Sequence, residues 1–262
     1  MRATAPGPLP EAAPRPLGEL AVPALPGPGR IAAVCSVAQL YAVPDRGLMS
    51  GIDKRPLEGP VPVLAHGLLG DVQGDREHHG GLLKAVYAFS QEVREAYARA
   101  LDAELPDGFF GENLVTTGQD TDETVIGERW RVGTAELEAT CVRNPCGTFA
   151  AWMGDRRWGR SFSAQGRAGA YFRVLTEGAV SAGDRIEVLH RPDHGVTIGD
   201  AFRRLDAQQA RTLLDWAQDT GTVLYESLVQ STQTVLTRAG ADADFPPRLR
   251  STGRGLGLGM GL

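Results

Sequence analysis

Residues 129–149 read RWRVGTAELEATCVRNPCGTF, and this stretch decides the fold class. RWRV and AELEATCV alternate apolar and polar side chains, the period-two pattern of half-buried strands. Gly133-Thr134 between them supplies a tight turn, so the pair reads as a β-hairpin. The second strand runs out into Asn144-Pro145-Cys146, and Gly147-Thr148-Phe149 can open a short helix. Similar runs lie on both sides. Upstream are RIAAVCSVAQLYAV (30–43), VPVLAHGL (61–68), KAVYAF (84–89), ENLVTT (112–117) and ETVI (123–126). Downstream are AYFRVL (170–175) and DRIEVLH (184–190). Many short strands with glycine-bearing turns predict a mainly β fold with some α, the strands forming a closed or partly closed β-barrel.

Helices interrupt and follow the strands. Ser90 can cap a helix in which Val93, Ala96, Tyr97, Ala100 and Leu101 form an apolar stripe. Thr197 to Asp200 resembles a capping box ahead of a short helix carrying Phe202 and Leu205. Asp206 can cap AQQARTLLDWAQD, and Val223, Leu224, Leu228, Val235 and Leu236 show helical spacing. Residues 193–240 therefore read as a three-helix extension. Residues 1–29 hold eight of the 17 prolines and no aromatic residue, and read as a disordered leader. The glycine-rich stretch 241–262 reads as a disordered tail.

Composition narrows the function. The 262 residues are 42% hydrophobic and 23% charged, enough apolar material for a sizeable core. A net charge of −5 argues against a broadly basic nucleic-acid binder. No apolar run is long enough to cross a membrane, and the N-terminus lacks the pattern of a secretory signal. Three cysteines, at 35, 141 and 146, cannot make a disulfide framework, so a cytoplasmic location is expected. The basic residues are 25 Arg and only two Lys, Lys54 and Lys84.

Four clusters carry chemistry. SGIDKRPLEGPV (50–61) offers Lys54 and Arg55 in a stiff, glycine-bounded loop. GDREHHGGLLKAVYAF (74–89) sets His78 and His79 before Gly80 and Gly81, with Lys84 at the mouth of the next strand. FFGENLVTTG (109–118) places Glu112 and Asn113 at a strand start. TCVRNPCGTF (140–149) is the sharpest: Cys146 follows a proline, precedes a helix start and has Arg143 nearby, the setting of a populated thiolate. A thiolate is either a nucleophile or a soft metal ligand. Cys35 and Cys141 lie inside strands and read as core.

Taken in order, SGIDKRP, GD…HHGG..KAVY, GENLVTTG, a strand ending RNPC, and GRAGAYFRVLTEG…AGDRIEVL resemble the MOSC domain, the domain found at the C-terminus of molybdenum-cofactor sulfurases. The resemblance is to its stand-alone, YiiM-like branch and covers about residues 30–190; the helical segment resembles the three-helix extension of that branch. It implies a MOSC-type β-barrel over 30–192 and a pocket for a molybdopterin-type molybdenum cofactor. Cys146 matches the family cysteine that serves as molybdenum ligand or sulfur carrier. His79, Gly80 and Gly81 match its His-Gly-Gly. Lys54, Arg55, Lys84, Glu112, Asn113, Arg143 and Arg173 become candidate pocket residues: cations and the Gly-Gly backbone for a phosphate, Asn113 and Glu112 for a pterin edge. Val142 stands where the family often has proline before the arginine, and Glu128 where aspartate is common.

The resemblance leaves three functions in competition. The first is reduction of N-hydroxylated small molecules at a cysteine-ligated molybdenum, with electrons from a separate reductase. The second is sulfur transfer through a Cys146 persulfide supplied by a partner cysteine desulfurase. The third is non-catalytic binding of a small ligand. A cysteine hydrolase would need a histidine partner for Cys146, and His79 is the candidate.

Overall fold

The computed structural model describes residues 8–9, 17–72 and 81–240. The hairpin of the opening motif forms as its sequence predicts. Arg129–Val132 (β9) and Ala135–Val142 (β10) pair antiparallel, with Val132 opposite Ala135 across the turn. Trp130, Val132 and Leu137 are fully buried, the inward half of the alternation.

Around this hairpin grows an eight-stranded sheet. Ala170–Thr176 (β11) pairs with β10 on one side and with Val86–Ser90 (β7) on the other. Leu114–Thr117 (β8) runs parallel to β7, and Arg30–Val37 (β1) is antiparallel to β8. Lys54–Pro56 (β4) and Ile186–His190 (β13) are the two edges. The β7–β8 pair is parallel because a helix, Gln91–Leu101 (α1), connects them; parallel neighbours need such a crossover. Ser90 Oγ accepts from the Val93 amide to cap α1, as its sequence suggests.

Of the closed or partly closed barrel expected, the closed form does not occur among the described residues. β13 does not pair with β4, and the segment ahead of β13 meets β1 only at a single bridge, Arg30 to Arg185. The Ile31 amide donates to Asp184 O and the Ile186 amide to Gly29 O. One bridge is too short a ladder to seal the sheet. Among the described residues the fold is sheet-dominated, with six helices, and the sheet is not closed into a barrel.

Small strands finish the unit. Tyr41–Val43 (β2) and Leu48–Ser50 (β3) form a hairpin. Val61–Leu64 (β5) sits between Gly67–Leu68 (β6) and Gly178–Val180 (β12). The expected strand 123–126 does not form: Glu123 ends a 3-10 turn and only Val125 makes a bridge, to Thr197. An aromatic core lies between β7, α1 and the helices Gly147–Trp152 (α2) and Trp158–Gln165 (α3). Phe110 packs there against Phe89, Phe149 and Tyr97 with ring centroids 5.0–5.5 Å apart. The described part of the leader lies against the core. Leu17, Leu20 and Val22 pack on it, and the Leu9 amide donates to Trp152 O.

By compactness the chain divides after Arg203. The helix Ile198–Arg203 (α4) stays with the first unit, and the reciprocal Thr197–Asp200 capping box forms. In the second unit Ala207–Thr220 (α5) and Glu226–Arg238 (α6) pack together. α5 starts with a full capping box, Asp206 with Gln209. The expected tail, 241–262, lies outside the described residues.

One buried carboxylate gives a pH prediction. Asp122 is fully buried, and its Oδ1 accepts from the Ala168 and Gly169 amides. Its Oδ2 has no partner among the described residues. Burial, aided by nearby Asp120, pushes its carboxyl up to about 7. In the unfolded chain it ionises near the usual 3.8. From there up to about pH 7 the unfolded state holds fewer protons than the native one, so this group erodes stability as pH rises. Asp122→Asn should therefore gain on wild type by a few kcal/mol between pH 4 and 8, read from urea midpoints across that range. A constant difference would contradict the assignment.

Candidate functional site

At the ends of β7, β8 and β10 the loops enclose a cavity of ≈ 120 Å³. Lys54, Lys84, Asn113, Arg143 and Cys146, five of the residues singled out from sequence, line it together. The volume lies below the roughly 300–1,000 Å³ of sites that swallow a drug-sized ligand.

Cys146 ends the β10 loop and is the N-cap residue of α2, in extended backbone. The three cysteines are thiols, and Cys146 alone of them is part-exposed. Burial raises both other thiols well above their usual range, Cys141 to about 11. Those two are therefore poor ligands and Cys146 is the accessible sulfur.

Arg143 leaves the end of β10 and is nearly buried, being 7% exposed. Its guanidinium carbon lies 3.6 Å from the centroid of the Phe149 ring. Arg143 Nη1 is buried without a hydrogen-bond partner among the described residues. A buried cationic donor without an acceptor is costly and is a place where an anionic ligand group fits. Lys84, at the end of the 3-10 turn Leu82–Lys84, is also 7% exposed and lies 5.4 Å over the Tyr171 ring. Tyr87 and Tyr171, 5.1 Å apart, wall the same side.

Asp71 is the residue that sequence reasoning missed. Its Oδ1 accepts from the Val37 amide (3.1 Å), and its Oδ2 takes the Lys54 ammonium and Asn113 Nδ2 (2.8 Å). It thus ties β1, β4 and β8 together at the cavity wall. The signal was Gly70-Asp71, which by itself reads as a turn. Asn113 spends both of its N–H donors on the protein. Nδ2 also donates to Cys35 O and Oδ1 accepts from the Tyr87 amide. Asn113 therefore shapes the wall; both of its N–H donors are engaged, and one lone pair of Oδ1 is left for the pterin edge expected of it.

The other candidates lie elsewhere. Glu112 is fully buried and accepts from the Gly108 and Phe110 amides, which pins the loop before β8. Gly108 needs its positive φ of 84° there, and any Cβ would strike the Lys54 carbonyl. Arg55 makes a two-pronged pair with Asp53, and Arg173 pairs with Glu138 at 2.7 Å. Glu112, Arg55 and Arg173 do not line the cavity. Gly81 is described, with φ 94°, but is not a lining residue. His78, His79 and Gly80 lie outside the described residues. Among the described residues no group of three His, Cys, Asp or Glu could hold a metal. A metal here would take one protein thiolate and bring its other ligands with it. Among the same residues no helix is long and apolar enough to cross a membrane.

A family profile described as MOSC domain matches residues 75–187 of this chain. YflK of Bacillus subtilis, named an uncharacterized protein, is 33% identical over 164 residues, 63% of this chain and 74% of YflK. A protein of Gibberella moniliformis named "Reductase" is 34% identical over 153 residues, 55% of this chain but 26% of that protein. The crystal structure of YiiM from Geobacillus stearothermophilus superposes with a TM-score of 0.63 at 23% identity, over 80% of this chain and 100% of that one.

Proposed function

The chain belongs to the MOSC domain family, in its YiiM-like branch, and from that premise we propose that it holds a molybdopterin-type molybdenum cofactor through Cys146 and reduces N-hydroxylated small molecules. The observation that carries the reading is one cavity lined by the accessible thiol, by Lys84 and by a buried arginine with an unmet donor. A soft thiolate beside hard cations is the donor set for a ligand that joins a thiophilic metal to anionic groups. The name of the Gibberella relative supports the reductive direction.

When bound, the cofactor would supply a two-electron donor that takes up the substrate oxygen. Each turnover converts R–NHOH to R–NH2 and water with two electrons and two protons, the electrons coming from a separate reductase. The residues of this chain do the rest. Cys146 Sγ anchors the metal. Arg143 Nη1 and Lys84 Nζ would hold the negative charge of the cofactor. The Tyr87 and Tyr171 rings exclude water from one side. Asp71 and Asn113 fix that wall.

Molybdenum and pterin analysis of protein purified anaerobically from a cofactor-producing host tests this. Near one metal per chain is expected, with conversion of benzamidoxime to benzamidine when reduced methyl viologen supplies electrons. Metal-free protein from a competent host overturns the reading. Metal without reduction, together with a persulfide on Cys146, moves the site to sulfur transfer.

A further inference from the structure

The β2–β3 hairpin carries an arginine whose placement the proposed function leaves unused. Tyr41 of β2 anchors the hairpin to α2, edge-on to Trp152 with centroids 5.1 Å apart. The turn then lays the Arg46 guanidinium directly on Gly147. A Cβ built on Gly147 would collide with the Cζ and Nη2 of Arg46. Gly147 lies between Cys146 and Thr148, both of which line the cavity, and β3 contributes Leu48 and Met49 to the same mouth. Arg46 is exposed, and its guanidinium has no acceptor among the described residues. Almost every other arginine near the site is spent on a carboxylate or an aromatic ring. This one lies against a glycine and offers an unspent fork of donors.

We infer that Arg46 anchors an oxyanion carried by the substrate, a carboxylate or phosphate, at the Cys146 end of the cavity. Beside it Leu48 and Met49, 38% and 47% exposed, give the apolar surface on which the body of such a substrate would lie. The inference rests on the reductase reading and deepens it: among N-hydroxylated compounds, those with an anionic substituent are bound in preference to neutral ones such as benzamidoxime. The cofactor also carries an oxyanion. The solvent-exposed hairpin position favours the substrate as its source, because Arg143 and Lys84 are the buried cations.

The closing experiment starts from cofactor-free protein, so that it does not depend on molybdenum. Benzoate and its neutral counterpart benzamide are titrated, with the Gly147 and Thr148 amides followed by NMR. Benzoate is expected to bind about tenfold tighter than benzamide, and Arg46→Gln to abolish that preference. Arg46→Lys should keep part of it, since the charge survives and the fork does not. Gly147→Ala should mimic Arg46→Gln and add nothing to it in the double variant. Gly147 is outside the left-handed region and its obstacle is a flexible side-chain end, so Gly147→Ala should leave the thermal midpoint unchanged. Equal binding of the two probes by wild type, or a full preference kept in Arg46→Gln, overturns the inference. A second arm compares molybdenum and pterin content of wild type and Arg46→Gln from the cofactor-producing host. Equal content supports a substrate oxyanion, and loss of cofactor overturns that source in favour of the cofactor phosphate. Failure of wild type to take up molybdenum would instead sink the reductase reading, and the benzoate result would still judge Arg46.

Discussion

Cys146→Ser is expected to lower bound molybdenum from near one per chain to background while the protein stays folded. Serine is nearly isosteric with cysteine, but its hydroxyl is not ionised at neutral pH and is a hard donor. A thiophilic metal loses its one protein ligand, since no acidic or histidine cluster among the described residues stands by to replace it. The fold should lose little stability. Cys146 is part-exposed and caps α2 with its backbone, its side chain making no cap hydrogen bond. Exchanging a part-buried thiol that packs on the core for a hydroxyl should cost about 1 kcal/mol, a shift in midpoint of roughly 2–4 °C for a domain of this size. Cys141→Ser is the control with the opposite pattern. Cys141 is buried with a raised thiol pKa, so a hydroxyl there should cost about 1–3 kcal/mol and leave the metal in place. Elemental analysis beside thermal melting separates the two. Metal retained in Cys146→Ser would remove the thiolate as ligand.

The contrast between those cysteines was legible in the sequence, because burial within an alternating strand is a local property. So were the β9–β10 hairpin and the caps at Ser90, Thr197 and Asp206, all fixed by residues within a few positions of each other. β4 and β12 were not legible. Each has three residues, and each exists only because a distant strand, β1 or β5, offers it hydrogen bonds. The failure of the sheet to close depends likewise on how far segments 30 and 185 approach. At the site, residue types were read correctly and allegiances were not. Arg55, Arg173 and Glu112 are the right chemistry in the right motifs, yet Asp53, Glu138 and two loop amides claim them. A motif shows that a charged group is present. Only the fold shows whether its charge is already answered.

Asp71 is where an answered charge should be felt most. The side chains of Lys54 and Asp71 are 9% and 6% exposed, and the carboxylate also satisfies Asn113 Nδ2 and the Val37 amide. Asp71→Ala removes three acceptor contacts at once and strands a nearly buried ammonium. Breaking a buried pair from one side costs about 3–5 kcal/mol, because the remaining charge keeps its desolvation penalty. The urea midpoint of the first unit should fall accordingly. Cofactor retention should fall with it, since β1, β4 and β8 lose their common tie at the cavity wall. The sign of the coupling is the sharper test. Lys54→Met in the Asp71→Ala background removes the stranded charge, so the double variant should be more stable than Asp71→Ala alone by about 1–3 kcal/mol, although it carries one more substitution. It should not recover cofactor, because a cation lining the cavity has gone and Asn113 still lacks its acceptor. Stability and binding would then move in opposite directions along the same pair of variants. Simple additivity, with the double variant the least stable, would show that the Lys54–Asp71 contact is incidental to the wall it is placed in.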